Sequence, residues 1–172
     1  MTVSEFVLSQ VDSPELVAIA RELFREYEAA IGTNLEYQGF ALELAALPRP
    51  YIPPSGALLI AHTGTDVAGC VGLRPIDSHA AEMKRLYVRP TYRGTGLGKR
   101  LIGAVVQAAQ HAGYGELRLD TLASMVSAQA LYRQLGFTEI PAYNSTHLPG
   151  TRFYSLRLAP DMSMQQTPYR RR

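Results

Sequence analysis

At 172 residues, with 47% hydrophobic and 19% charged content, the chain reads as one soluble globular domain with a sizeable core. Its opening MTVSEFVLSQVD lacks the basic-then-apolar order of a secretory leader, and no run approaches the roughly eighteen apolar residues of a membrane span, so neither is expected. The formal net charge of +2 hides an uneven distribution, because residues 1 to 82 carry eleven acids against four arginines while 83 to 115 hold six cations and no acid.

Val3 to Val11 reads as a short strand. Asp12 or Ser13 caps a helix with Pro14 and Glu15 in its first turn, and Leu16, Ile19, Leu23 and Phe24 recur at helical spacing. A second, weaker helix is expected over Leu35 to Ala46. The prolines of LPRPYIPP make a rigid loop. ALLIAHTG and DVAGCVGLRP then form two strands that turn at Gly64–Asp66. Cys70, the sole cysteine, lies in that second strand. A buried inert thiol is expected there, no internal disulfide is possible, and a reducing cytoplasm fits.

The next strand, AAEMKRLYV, breaks its own period. Met83 and Leu86 both have core character but lie three apart, whereas a regular strand alternates faces at every residue. A β-bulge near Lys84 or Arg85 reconciles them. Pro90 ends the strand, and VRPTYRGTGLGKR (residues 88 to 100) follows with three glycines and four cations. Leu97, Leu101, Val105 and Ala108 mark one face of a helix that stops at HAGYG. ELRLDTL alternates as a strand. Ala128, Leu131, Tyr132 and Leu135 mark another helix, closed by Gly136, and TRFYSLRL is a final strand. Residues 1–160 are read as a single domain and 161–172 as a mobile basic tail.

Glycines ahead of a helix let backbone approach a ligand and aim free N–H groups at it, and the helix dipole favours an anion there. The six cations Lys84, Arg85, Arg89, Arg93, Lys99 and Arg100 surround this loop, so a compact polyanion is the expected partner. Two nucleotide motifs fail on inspection. A mononucleotide loop needs glycine where Arg93 stands and Ser or Thr where Arg100 stands. A dinucleotide fingerprint needs a G-x-G-x-x-G spacing, but the glycines here are Gly94, Gly96 and Gly98.

The loop resembles instead the acyl-coenzyme A loop of the GNAT superfamily of N-acetyltransferases, an Arg/Gln-x-x-Gly-x-Gly/Ala pattern matched by Arg93, Gly96 and Gly98. The resemblance extends upstream through EMKRLYV and downstream to LRLDTLASMVSAQALYRQLGF, covering about Ala81 to Phe137. It implies an α+β fold with a mixed, mostly antiparallel central sheet, helices on both faces, and a splayed, bulged strand before the coenzyme A loop. It also implies acetyl-CoA as co-substrate, no metal, and direct transfer to the amine of a small molecule or peptide.

By position, the resemblance assigns exposed strand backbone at Leu86, Tyr87 and Val88 to the acyl-pantetheine, with the Val88 amide as oxyanion donor. Amides from Arg93 through Gly94, Thr95, Gly96, Leu97 and Gly98 to Lys99 would wrap the pyrophosphate. Glu82 stands where many members keep the carboxylate that deprotonates the amine, often through water, and Tyr132 matches the tyrosine that protonates the departing thiolate. Where many members carry Asn, this chain has Met125, so that contact is left unassigned.

Two other readings compete. A non-catalytic acyl-CoA sensor would keep the loop without the chemistry, and residues at both Glu82 and Tyr132 argue against it. A nucleic-acid binder would use the same cations, but only Tyr87 and Tyr92 interleave with them and the acidic first half opposes a broad footprint. Neither nucleic acid nor membrane is expected as a partner, and a homodimer stays open. The six glutamates Glu15, Glu22, Glu26, Glu28, Glu36 and Glu43 on the early helices suggest attraction of a cationic amine.

Overall fold

The computed structural model describes residues 5–162. The first half comprises β1 (Val7–Gln10), α1 (Pro14–Ile31), a 3-10 turn (Leu35–Gln38), α2 (Phe40–Ala46), β2 (Ala57–Thr63), β3 (Asp66–Pro75) and β4 (Ala80–Val88). A 3-10 turn at Pro90–Tyr92 leads to α3 (Leu97–His111), β5 (Glu116–Thr121), α4 (Val126–Gln134), β6 (Thr138–Ile140) and β7 (Arg152–Arg157). The strands form one sheet in the order β1-β2-β3-β4-β5-β7-β6, antiparallel everywhere except where β4 meets β5. The tail expected from 161 onwards lies outside the described residues except for Asp161 and Met162.

Local signals explain most boundaries. The Ser13 side chain accepts a hydrogen bond from the Leu16 amide at 3.2 Å, a cap worth about 1 kcal/mol, and Pro14 presets the first turn of α1. Gly32, in the left-handed conformation at φ 63°, ends that helix. The single helix expected over Leu35 to Ala46 is divided, because Gly39 at φ 72° closes the 3-10 turn and α2 starts only after it. β6 has no counterpart among the expected elements; it is a three-residue edge strand paired to β7.

The sheet separates two cores. In β2, Ala57 and Ala61 join one cluster while Leu58 and Ile60 join the other, as strand alternation requires. α3 covers the first with Leu97, Leu101, Ile102, Val105 and Ala109, and α1 covers the second with Ala20, Leu23 and Phe24. Full burial of each large aliphatic side chain contributes roughly 1.5–3 kcal/mol.

Two irregularities set β4 apart from its neighbours. From Lys84 to Tyr87 the strand advances three residues while β3 moves only from Gly72 to Cys70, so one extra residue bulges out. Arg85 takes a left-handed φ of 59° there, and Met83 and Leu86 consequently pack on the same, α3-facing side. On its other edge β4 pairs with β5 in parallel over only three rungs, Ala80–Glu116, Ala81–Leu117 and Glu82–Arg118. Beyond Glu82 the two strands part.

Candidate active site

The parting of β4 and β5 opens towards the glycine loop. Arg89 donates its amide to the Ala68 carbonyl of β3 at 2.8 Å. Val88, its neighbour, therefore turns both N–H and C=O the other way, to the open edge. The Arg93 Nε donates to that Val88 carbonyl at 3.0 Å, and the Thr95 hydroxyl donates to the Tyr92 carbonyl at 2.6 Å, which shapes the loop from within. Tyr87 sits on the opposite face, buried edge-on against Tyr27 of α1 with ring centroids 6.4 Å apart, while Leu86 lines the cleft between the strands.

Gly94 and Gly96 hold φ of 75° and 83°, a conformation other residues adopt only under strain. Gly96 is the N-cap of α3 and supplies no side-chain bond to the first turn, leaving the amides of Leu97, Gly98 and Lys99 as the helix's positive end. Gly98 has an ordinary helical backbone, and a Cβ there would meet only the Leu131 Cδ2, at 3.6 Å.

The cationic field is narrower than the sequence suggests. Arg85 is clamped by Glu43, with its Nη2 2.7 Å and its Nε 2.9 Å from that carboxylate, and Arg89 is clamped by Glu26 and Glu22. Lys84 is buried in the cleft. Arg93, Lys99 and Arg100 remain exposed around the loop, Arg100 also donating to the Phe6 carbonyl at 2.9 Å.

The early glutamates are similarly committed. Glu22, Glu26 and Glu43 face arginines, Glu28 accepts from the Leu35 amide at 2.8 Å and Glu36 from the Ala41 amide at 3.3 Å. Five of the six therefore have partners within the chain.

Tyr132 rises from α4 into the cleft, packed against Phe137 and Tyr154 at centroid distances of 5.8 and 6.1 Å. Burial raises its pKa well above the usual phenol value, so the hydroxyl keeps its proton at neutral pH. Met125 also lines the cleft, without a capping bond to α4. The tether to the end of β5 comes instead from buried Gln129, whose Nε2 donates to the Leu122 carbonyl at 2.9 Å.

Glu82, on the last paired rung, is 3% exposed and stands outside the cleft lining. Its Oε1 accepts from Arg74, whose Nη2 lies at 2.7 Å, and its Oε2 accepts from the Tyr143 hydroxyl. Burial pushes its pKa up, but the charges of Lys84 and Arg74 and the hydrogen bonds from Tyr143 and Arg74 outweigh burial and hold it below the ordinary value. It is an ionised carboxylate with both oxygens engaged.

One step past the last rung, Lys84 and Asp120 face each other across the parting strands, Nζ to Oδ1 at 3.6 Å, and both line the cleft. Burial lowers the Lys84 pKa, and the charges of Asp120 and Glu82 offset part of that. Sequence reading places Lys84 only in a general cationic field and near the bulge; it misses the roles of Arg74 and Tyr143 altogether. The alternation of Glu82 with Lys84 and of Arg118 with Asp120 is the one available signal that these side chains share a face.

The acetyltransferase (GNAT) family model matches residues 16–137. An uncharacterized N-acetyltransferase of Schizosaccharomyces pombe is 34% identical over 161 residues, covering 92% of this chain and 99% of that protein. Among solved structures, an acetyltransferase from Streptococcus agalactiae superposes with a TM-score of 0.74 at 20% identity, covering 89% of this chain and 98% of that one. A GNAT family acetyltransferase from Elizabethkingia anophelis, solved with acetyl-CoA bound, gives 0.57 at 19% identity over 89% of this chain and 98% of its own. The parted strands, the uncapped helix end and the match across most of the chain have one explanation: this protein belongs to the GNAT family of acetyltransferases.

Proposed function

We propose that the chain moves an acetyl group from acetyl-CoA directly to an amine of a small molecule or peptide. The observation that carries this reading is the cleft where β4 leaves β5, followed at the end of β4 by a loop whose helix amides lack a side-chain cap. The chain's residues suit the ligand: Gly94 and Gly96 shape a loop open to a diphosphate, and the Val88 backbone faces the gap where a pantetheine amide would pair. Arg93, Lys99 and Arg100 supply the exposed positive charge. The lone Cys70, fully buried, is consistent with work in a reducing cytoplasm.

In the transfer the neutral amine nitrogen attacks the thioester carbonyl, a C–N bond forms and the C–S bond breaks. One proton leaves nitrogen and one arrives at sulfur. The Val88 amide, turned to the gap, is assigned to the developing oxyanion. Tyr132, protonated and projecting into the cleft, is assigned to the thiolate. Glu82 is assigned as the sink for the amine's proton. With both oxygens engaged, it receives that proton through an intervening water or by releasing Tyr143. A thiol-release assay over a panel of amines with acetyl-CoA tests the reading. Binding of acetyl-CoA without amine-dependent thiol release would instead make the protein a sensor.

A further inference from the structure

Resting on the acetyltransferase reading, the cleft also carries information about the acceptor. Its polar groups are poorly satisfied for a buried site. The Lys84 ammonium, with 5% of its side chain exposed, has Gln38 Oε1 at 3.3 Å and Asp120 beyond hydrogen-bonding range at 3.6 Å. The hydroxyls of Thr121 and Thr151, in the same lining, are buried with no protein hydrogen-bond partner among the described residues, and Thr121 is 4% exposed. Buried polar groups in folded proteins nearly always find partners, so several under-bonded ones around one cleft mark the place of a ligand's polar atoms.

The charges indicate which ligand. Arg85, although it lines the cleft, is already neutralised by Glu43 and shares Gln38, and its guanidinium lies over the Tyr27 and Phe40 rings. That leaves one ammonium and one carboxylate side by side facing the cavity. A polyamine would bring a second cation against Lys84, and a simple monoamine would draw Asp120 away from Lys84 without offering the ammonium a carboxylate in return. From this arrangement we infer that the acceptor is a zwitterionic amino acid, its amine beside Asp120 and its carboxylate on Lys84, with the threonine hydroxyls supplying the remaining hydrogen bonds. Lys84 thereby determines specificity. The cationic acceptor suggested by the early glutamates is weakened, because Glu22, Glu26 and Glu43 already face arginines within the fold.

The test compares kcat/KM, with acetyl-CoA saturating, for a set of L-amino acids, the matching amino acid amides, the matching decarboxylated amines, and spermidine. Free amino acids are expected to lead their amides and decarboxylated counterparts by roughly ten- to a hundred-fold, the worth of a hydrogen-bonded charge pair. In Lys84→Gln that ratio is expected to fall towards one, a readout that general damage to the enzyme would not move. Amides, amines or spermidine equalling the amino acids in the wild-type protein would overturn the inference, and a ratio retained in Lys84→Gln would overturn the role of Lys84. If Lys84→Gln does not fold, the wild-type ratios alone decide. Calorimetric binding of acetyl-CoA with no amino acid turned over sinks the acceptor class and spares the coenzyme site, whereas no acetyl-CoA binding sinks both.

Discussion

The Tyr143 hydroxyl donates to the Glu82 Oε2 across 61 positions of sequence, and together with Arg74 on Oε1 it fixes that carboxylate in its ionised form. Glu82→Gln keeps the shape but removes the charge, so under the proposed mechanism the amine loses its proton sink. Transfer is expected to fall about 100- to 10,000-fold at neutral pH, the usual range for general acid–base help. The loss should shrink as pH rises and free amine accumulates. A pH–rate profile of Glu82→Gln parallel to wild type would place the proton sink elsewhere.

The same carboxylate has a signature in stability. Its pKa is depressed in the folded chain, so the stabilisation it gives is present at neutral pH and is lost as pH falls through and below the ordinary carboxylate range. Wild type and Glu82→Gln should differ in urea midpoint near pH 7 and converge in acid. A difference that stays constant down to the acid limit would show that the ionised form contributes nothing.

Tyr132→Phe retains the packing against Phe137 and Tyr154 and removes only the hydroxyl proposed as the proton donor. A thiolate is already fairly stable near neutrality, a free thiol having a pKa of about 8.5, so the help is modest. Turnover is expected to drop by about tenfold to a few hundredfold, with coenzyme affinity unchanged. Wild-type turnover under chemistry-limited conditions would reduce Tyr132 to a core residue.

Gly98 offers the clean test of the phosphate loop. At Gly96 any side chain is strained by the backbone itself, so a loss there has two causes. At Gly98 the backbone is helical and a Cβ meets only Leu131 at ordinary contact, so Gly98→Ala should hold or raise stability, by up to about 1 kcal/mol of helix propensity, with the melting temperature unchanged or higher. Acetyl-CoA affinity, measured by calorimetry, is expected to fall because the new methyl stands among the first-turn amides. Unchanged affinity would move the pyrophosphate off that turn.

Cys70 is fully buried, and burial pushes its thiol pKa well up. A thiol reagent should label the folded protein negligibly and the urea-unfolded protein once per chain. Rapid labelling under native conditions would mean that β3 opens readily.

Local chemistry makes much of this legible. The period break between Met83 and Leu86 announces the bulge, the glycine loop announces the helix end, and the LY-GF segment places Tyr132. Partnerships across the fold leave no such trace. Nothing in the spacing of Arg74, Glu82 and Tyr143, or of Glu43 and Arg85, marks them as contacts, because chain reversals set those distances. The acid-rich start reads as a field for cations until the fold sets Glu22, Glu26 and Glu43 against arginines, and β6 is too short to show alternation.

The brevity of the β4–β5 ladder has a mechanical consequence. Among the described residues, three parallel rungs stitch the four-stranded wing β1–β4 to the three-stranded wing β5–β7–β6 within the sheet. A pantetheine chain laid in the gap would act as a substitute strand, supplying the missing stitches between the wings. Cargo and cross-brace would then be one molecule, and each round of product release would remove that brace.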